Sequence, residues 1–217
     1  KVVEDAAHAL GAMYKGKPIG SHSDFTCFSF QAIKHLTTVD GGAICSKVKD
    51  DDTRIKKLKW FGLDRKFEGS RWEQDIDECG FKFHMNNVNA AIGIEQMKSI
   101  GSLVKSHQYV GKFYDEYIEN NSIEKLSRNR DASSAHWIYT LLVEDRDDFK
   151  KYLLDRKIAS DVVHVRNDKY SVFKEFRTDD LPGADYFCSK MINIPSGWWL
   201  SEQDALYILD AVNRYKG

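Results

Sequence analysis

Residues 28–42 read FSFQAIKHLTTVDGG: an aromatic, β-rich run ending in a Ser, then one Lys, two Thr and a Gly pair. The run DFTCFSF (24–30) before it and GGAICS (41–46) after it both read as short strands. Lys34 therefore falls in the connection between two strands, whereas most other lysines stand in solvated company. Short strands alternate with helical patterns in this part of the chain. KVVE at the start is a strand edge. DDTRIKKLKWFG (51–62) is a helix with acidic residues at its start, Lys toward its end and Gly beyond, the order that suits a helix dipole. Residues 63–80 show no apolar period and read as a long surface loop, a kind of segment that is often functional.

From Asn86 the pattern is helical. Val88, Ala91, Ile92, Met97, Ile100, Leu103 and Val104 recur at three- and four-residue spacing, which predicts a helix to about Glu119, bent near Gly101. HWIYTLLVE (136–144) reads as a strand, RDDFKKYLLDRKI (146–158) as a helix and SDVVHV (160–165) as a strand. SEQDALYILDAVNRY (201–215) reads as a helix with Ser201 as N-cap and Asp204 at the third helical position. The expected organisation is an α/β piece over 1–98 and a smaller α+β domain over 99–217. The opening KVVEDAAHALGA is the end of a strand with no lead-in, which predicts a missing N-terminal portion.

Composition narrows the partners. With 217 residues, 42% of them hydrophobic, the chain can bury one large core or two small ones. Its 32 basic and 33 acidic residues give no excess that favours nucleic acid or a membrane surface. The apolar runs are too short to span a bilayer, and no secretory pattern opens the chain. Cys27, Cys45, Cys79 and Cys188 are scattered without a CxxC pair, which disfavours a metal site or a disulfide framework and fits the cytoplasm.

A Lys after a strand can act as a Schiff-base lysine, because desolvation disfavours its charged form and the neutral amine attacks a carbonyl. Ser29 at the strand end is a natural phosphate ligand, and Asp5 after KVVE can face a pyridinium nitrogen and keep it protonated. Taken singly, each residue reads equally as a surface lysine, a turn serine or a turn-forming aspartate.

The stretch as a whole carries more. VVEDAAHALGAMYKGKPIGSHSDFTCFSFQAIKHLTTVDGGAI resembles the DegT/DnrJ/EryC1/StrS family of pyridoxal phosphate (PLP)-dependent nucleotide-sugar aminotransferases, with their pattern EDAAQA-GA-Y-GK--G--GD---FSFH--K--TT-EGG. GFKFHMNNVNAAIGIEQM (80–97) resembles the family's GYNYRM--I-AA-G--QL block, and HWIYTLLVEDRDDFKKYL and INIPSGWWLSEQDALYIL resemble its small domain. The resemblance implies an α/β chain of PLP fold type I, like aspartate aminotransferase, comprising part of the large domain and a small α+β C-terminal domain. It implies that Lys34 bonds the cofactor and then moves the proton, that Asp5 pairs with the ring nitrogen, that Ser29 binds the phosphate, and that His8 lies near the ring in place of the usual Gln. Asp40 stands for the usual Glu and Gln31 for the usual His, and neither is given a chemical role. In relatives the 80–87 loop reaches the neighbouring subunit's site. Lys82 and His84, standing for Asn and Arg, would contact phosphate and substrate there, or else only flank a helix start.

Arg166 in VHVRNDKY (163–170) offers a fork for the glutamate carboxylate or a sugar-nucleotide diphosphate, with a salt-bridged loop as the other reading. WFGLDRKFEGSRW (60–72), with two Trp and the basic Arg65, Lys66 and Arg71, can stack on a nucleotide base or form a packed edge. The implied activity is amination of a nucleotide-linked keto sugar, a 4-keto-6-deoxyhexose, with L-glutamate as donor, in a cytoplasmic homodimer. A sugar dehydratase of the same fold expects His at the lysine's position, and a non-catalytic regulatory protein is not expected to keep Asp5, Ser29 and Lys34 together.

Overall fold

The computed structural model describes residues 1–70 and 72–217, so Arg71 lies outside the described residues. The elements in chain order are β1 (Val3–Asp5), β2 (Met13–Tyr14), β3 (Lys17–Pro18), β4 (Phe25–Ser29), β5 (Gly42–Ser46), α1 (Lys49–Leu58), α2 (Asn87–Met97), α3 (Ile100–Tyr117), β6 (Ile123–Lys125), β7 (Ala132–Ser133), β8 (Tyr139–Val143), α4 (Arg146–Asp155), α5 (Pro182–Lys190), β9 (Met191–Ile194) and α6 (Glu202–Arg214), with short 3-10 turns over Asn167–Lys169 and Ser171–Phe176. The chain is mixed α/β and divides into two compact units. Unit 1 is Lys1–Leu103 with Asp131–Ala135, and unit 2 is Val104–Arg130 with His136–Gly217. Among the described residues no helix is long and apolar enough to cross a membrane.

Unit 1 is built on a sheet of order β1-β4-β5, parallel between β1 and β4 and antiparallel between β4 and β5. A second small sheet, β3-β2-β7, lies in the same unit. The expected strands at 24–30 and 41–46 are present as β4 and β5. Between them, residues 30–41 form a loop closed at its neck: the Phe30 N–H donates to the Gly41 carbonyl (2.8 Å) and the Thr38 N–H to the Phe30 carbonyl (2.9 Å). His35, Leu36 and Thr38 are buried inside it, each at 6% exposure or less.

The single helix expected from Asn86 to Glu119 is two. It breaks at Lys98–Ser99, where the Ser99 hydroxyl donates to the Gln96 carbonyl (3.2 Å) and competes with the helical ladder. The apolar spacing also does not mark the buried face of α2. Val88, Ile94 and Met97 are exposed, and Gly93 is the helix's buried residue. A Cβ on Gly93 would stand 2.8 Å from Thr38 Cγ2, so the helix approaches the 30–41 loop where it has no side chain.

Unit 2 has a contiguous apolar core around the antiparallel sheet β6-β8-β9. All five residues of β8 are buried. Tyr114 of α3, Phe149 and Leu153 of α4, and Ile208 and Val212 of α6 close over it. α6 begins with the expected capping box, Ser201 Oγ accepting from the Asp204 N–H at 3.1 Å and Asp204 Oδ2 from the Ser201 N–H at 3.0 Å. The strand expected over 160–165 is not formed. Asp161 and Asn193 exchange one backbone pair, and the ladder then ends because the Val163 N–H donates to the Asn193 side chain (3.2 Å).

His136 stands just before β8 in the left-handed region (φ 49°), and its carbonyl faces His107 Nδ1 at 3.1 Å. Burial, helped by the nearby Arg128, pushes the His136 imidazole down to about 4. The unfolded ring takes a proton near 6.5 and the folded one resists until about 4, so stability falls as pH drops through that window. His136→Asn, which tolerates the left-handed backbone, is expected to flatten this part of the urea-midpoint-against-pH curve; an unchanged slope would refute the assignment. In unit 1, a Cβ on Gly41 would lie 2.3 Å from Thr38 Oγ1 and 2.8 Å from Met85 Cε. Gly41→Ala is expected to cost about 1–3 kcal/mol in urea unfolding. Thr38→Ala/Gly41→Ala should cost less than the sum of the two single changes, and strict additivity would contradict the contact.

Candidate functional site

Asp5 and Ser29 stand at the carboxyl ends of the two parallel strands of unit 1. That end of a parallel pair is where side chains and open backbone groups converge on a ligand. Asp5 is exposed, with Oδ1 accepting the Ala7 N–H at 3.0 Å, and this small turn leads into His8, which is half-buried. Ser29 Oγ accepts the Gln31 N–H at 3.3 Å, which leaves the hydroxyl hydrogen able to donate outward. The Lys34 N–H donates to the Gln31 carbonyl at 2.9 Å, so the lysine follows Ser29 by one tight turn.

What holds Lys34 in place comes from the residues after it. His35 Nε2 lies 3.1 Å from the Ala135 carbonyl. Val39 is in the left-handed region (φ 70°), a costly conformation for a β-branched residue, and its N–H donates to Thr37 Oγ1 at 3.0 Å. The Asp40 carbonyl accepts from Thr38 Oγ1 (3.1 Å) and from Asn89 Nδ2 of α2 (2.7 Å). The Thr pair, the Gly pair, Asn89 and Gly93 thus position the lysine. The sequence signal for the first four was the TTVDGG run itself, and Gly93 falls on the glycine of the GYNYRM--I-AA-G--QL block; Asn89 falls on a position that block leaves open.

Lys34 is half-buried. Desolvation lowers its amine below the usual lysine range, and the carboxylate of Asp5 acts in the opposite direction with the smaller effect. Burial therefore outweighs attraction, and the neutral, nucleophilic amine is more accessible than on a surface lysine.

Lys82 is exposed and paired across one backbone bridge with Trp60, while the His84 ring packs edge-on against Trp60 at 4.1 Å. Both belong to unit 1. Arg166 belongs to unit 2, and its guanidinium is engaged there: Nε donates to Asp168 Oδ1 (2.9 Å), NH1 to Asp185 Oδ1 (2.5 Å), and NH2 to Asp168 and to the Thr178 carbonyl. Its side chain is 8% exposed. The salt-bridged loop, one of the two readings of Arg166, describes this arrangement. Unit 2 also holds a concavity of about 640 Å³, lined by Ile158, Pro195, Trp199 and Tyr207 among others, which contains none of the candidate site residues.

Comparison with known proteins bears on the site. The chain is 30% identical to a UDP-4-amino-4,6-dideoxy-N-acetyl-beta-L-altrosamine transaminase of Campylobacter jejuni, over 97% of this chain and 57% of that protein. It is similar to the crystal structure of the sugar aminotransferase CalS13 from Micromonospora echinospora, with TM-score 0.93 and 36% identity over 98% of this chain and 57% of that one. It is also similar to Spr1654 of Streptococcus pneumoniae in its PLP form, with TM-score 0.85 and 29% identity over 97% of this chain and 56% of that one. The chain thus spans a little over half the length of these relatives. The family model of the DegT/DnrJ/EryC1/StrS aminotransferases matches residues 1–213, and the chain belongs to that family.

Proposed function

We propose that this chain forms part of a PLP-dependent aminotransferase of fold type I that converts a nucleotide-linked keto sugar, a 4-keto-6-deoxyhexose, to the amino sugar with L-glutamate as donor. The observation that carries the reading is the desolvated Lys34 amine within electrostatic reach of Asp5, with Ser29 at the adjoining strand end. An amine nucleophile, a carboxylate and a hydroxyl donor are the groups that PLP requires for its aldehyde, its ring nitrogen and its phosphate, so the residues present fit the cofactor. PLP supplies an electron sink for the carbon–hydrogen bond that is broken.

The chain's own residues do the rest. Lys34 is the nucleophile toward the carbonyl and then the base and acid that carries a proton between carbons. Asp5 holds a ring nitrogen protonated, His8 lies beside the ring, and Ser29 donates to the phosphate. Lys82 and His84 are phosphate and substrate contacts offered to a neighbouring subunit. The exposed Phe81, Phe83, Val88 and Met97 support that homodimer, since apolar side chains gathered in one unit favour a partner surface. Arg166 is left out, because its fork is filled within its own unit. The enzyme acts in the cytoplasm. A dehydratase is disfavoured by Lys34 itself.

Lys34→Ala is expected to abolish both transamination and the fixing of PLP by borohydride, read by mass mapping; turnover by purified Lys34→Ala would overturn the assignment. Asp5→Asn should slow turnover by roughly a hundred- to ten-thousand-fold while leaving the cofactor attached. Near-full activity of Asp5→Asn would place the ring-nitrogen partner elsewhere.

A further inference from the structure

Unit 1 includes one piece of chain from far along the sequence. Asp131–Ala135 is grouped with Lys1–Leu103, while Arg130 before it and His136 after it belong to unit 2. Two sets of bonds hold this piece in unit 1. Its strand β7 pairs antiparallel with β2, Met13 opposite Ser133 and Tyr14 opposite Ala132, and the Lys15 N–H donates to the Asp131 carbonyl at 2.7 Å. At its other end the Ala135 carbonyl lies 3.1 Å from Nε2 of His35, 100 residues away in sequence. A carbonyl only accepts, so Nε2 carries a hydrogen and donates it. His35 and Ala135 are 6% and 2% exposed, so water does not compete for that bond.

β2 is joined as closely to Asp5. The Ala6 N–H donates to the Cys27 carbonyl (2.8 Å), prolonging the β1–β4 ladder. The Ala9 N–H then donates to the Ala6 carbonyl and the Ala12 N–H to the Ala9 carbonyl, each at 3.0 Å, and Met13 opens β2. One route therefore runs from Asp5 through these turns, β2, β7 and the Ala135 carbonyl to His35, the residue bonded to Lys34. A second route runs from Asp5 across the ladder to Cys27, along β4 to Ser29 and through the Gln31 carbonyl to the Lys34 N–H (2.9 Å). The two routes close a ring with Asp5 and Lys34 on it. The Thr pair, Asn89 and Gly93 brace the later part of the loop, residues 37–41, whereas the His35 bond acts on the neighbour of the lysine itself.

We propose that His35 is a positioning residue for Lys34, and that its bond to the Ala135 carbonyl fixes where the amine stands relative to Asp5. The inference rests on the proposed function, which gives the amine its task, and deepens it. A lysine side chain has many rotamers and a head that water solvates well, so its placement depends on how firmly its backbone is held. Cutting the first route leaves the lysine's own turn joined to Asp5 only through β4, and displacement of a reacting group by about 1 Å is enough to cost roughly a hundredfold in rate. Asp5 is the charged group that acts on the amine, so a turn that moves also changes the balance between burial and attraction there. Gln suits the test of the bond. Its amide nitrogen reaches as far from the backbone as Nε2 does, while Leu fills much of the same space with no donor.

The test is trace labelling of the full chain with acetic anhydride across pH, with Lys34 read by mass mapping, and borohydride fixing of PLP measured in parallel. His35→Leu is expected to shift the Lys34 labelling profile to higher pH, because a looser lysine returns to water, and to slow PLP fixing roughly a hundredfold. His35→Gln should restore the profile and most of the rate. In the unaltered chain, long-range nitrogen–proton NMR should place the His35 hydrogen on Nε2. A His35→Leu chain that is less stable in urea yet keeps the labelling profile and the PLP rate reduces the bond to a fold contact and overturns the proposal. So does a His35→Gln chain whose profile moves, or a bare Nε2 in the unaltered ring, and both results stand even where His35→Leu fails to fold. Absence of PLP fixing in the unaltered chain overturns the proposed function, while the labelling profile still decides the role of His35.

Discussion

Two hydrogen bonds at the neck of the 30–41 loop set the chemistry of unit 1. The Phe30 N–H to the Gly41 carbonyl and the Thr38 N–H to the Phe30 carbonyl turn a twelve-residue connection into a closed ring at the strand ends. Lysine has many rotamers and a strongly hydrated head, and on an open loop it would remain solvated. Here the residues immediately after it are buried, the turn is braced by α2, and the amine is partly taken from water. The strained backbone of Val39 persists because Thr37, Thr38 and Gly41 over-determine it.

The two units use burial differently. Unit 2 is held by a continuous apolar core in which β8 is buried along its whole length. Several of its polar groups pair within it, as in the Tyr139 hydroxyl donating to Asp115 at 2.7 Å and Arg128 pairing with the same carboxylate at 2.9 Å. Arg166 belongs to this class: a cation whose donors are consumed by Asp168, Asp185 and Thr178 holds a loop together and has little left for a ligand. Lys59, Arg65 and Lys82 are the opposite case: among the described residues none of the three pairs with a carboxylate, while Arg54, Lys56 and Lys57 beside them do.

Much of this was legible in the sequence where the signal was local. The strand–loop–strand around Lys34, the α1 charge order and the Ser201–Asp204 capping box all formed as their residues imply. The family was legible because its motif is long and keeps its spacing. What failed was non-local. The apolar stripe of residues 88–104 suggested one helix and the wrong buried face, because the deciding contact is Gly93 on Thr38, which no periodicity records. The strand expected at 160–165 was lost to a side chain, Asn193, that captures the Val163 N–H from another part of the chain. For Arg166 the sequence left a salt-bridged loop and an anion-binding fork equally open, because the carboxylate of Asp185 and the carbonyl of Thr178 become its partners only through folding.

The central claim is that the fold desolvates one lysine amine. Its direct measure is an NMR titration of the chain with its lysines labelled by 13C reductive methylation, the Lys34 signal being assigned by its loss in Lys34→Arg. The account predicts that this resonance titrates below the main lysine envelope and moves further down in Asp5→Asn, where the opposing attraction of the Asp5 carboxylate is removed. A Lys34 signal that titrates together with the exposed lysines, in both the unaltered chain and Asp5→Asn, would contradict it.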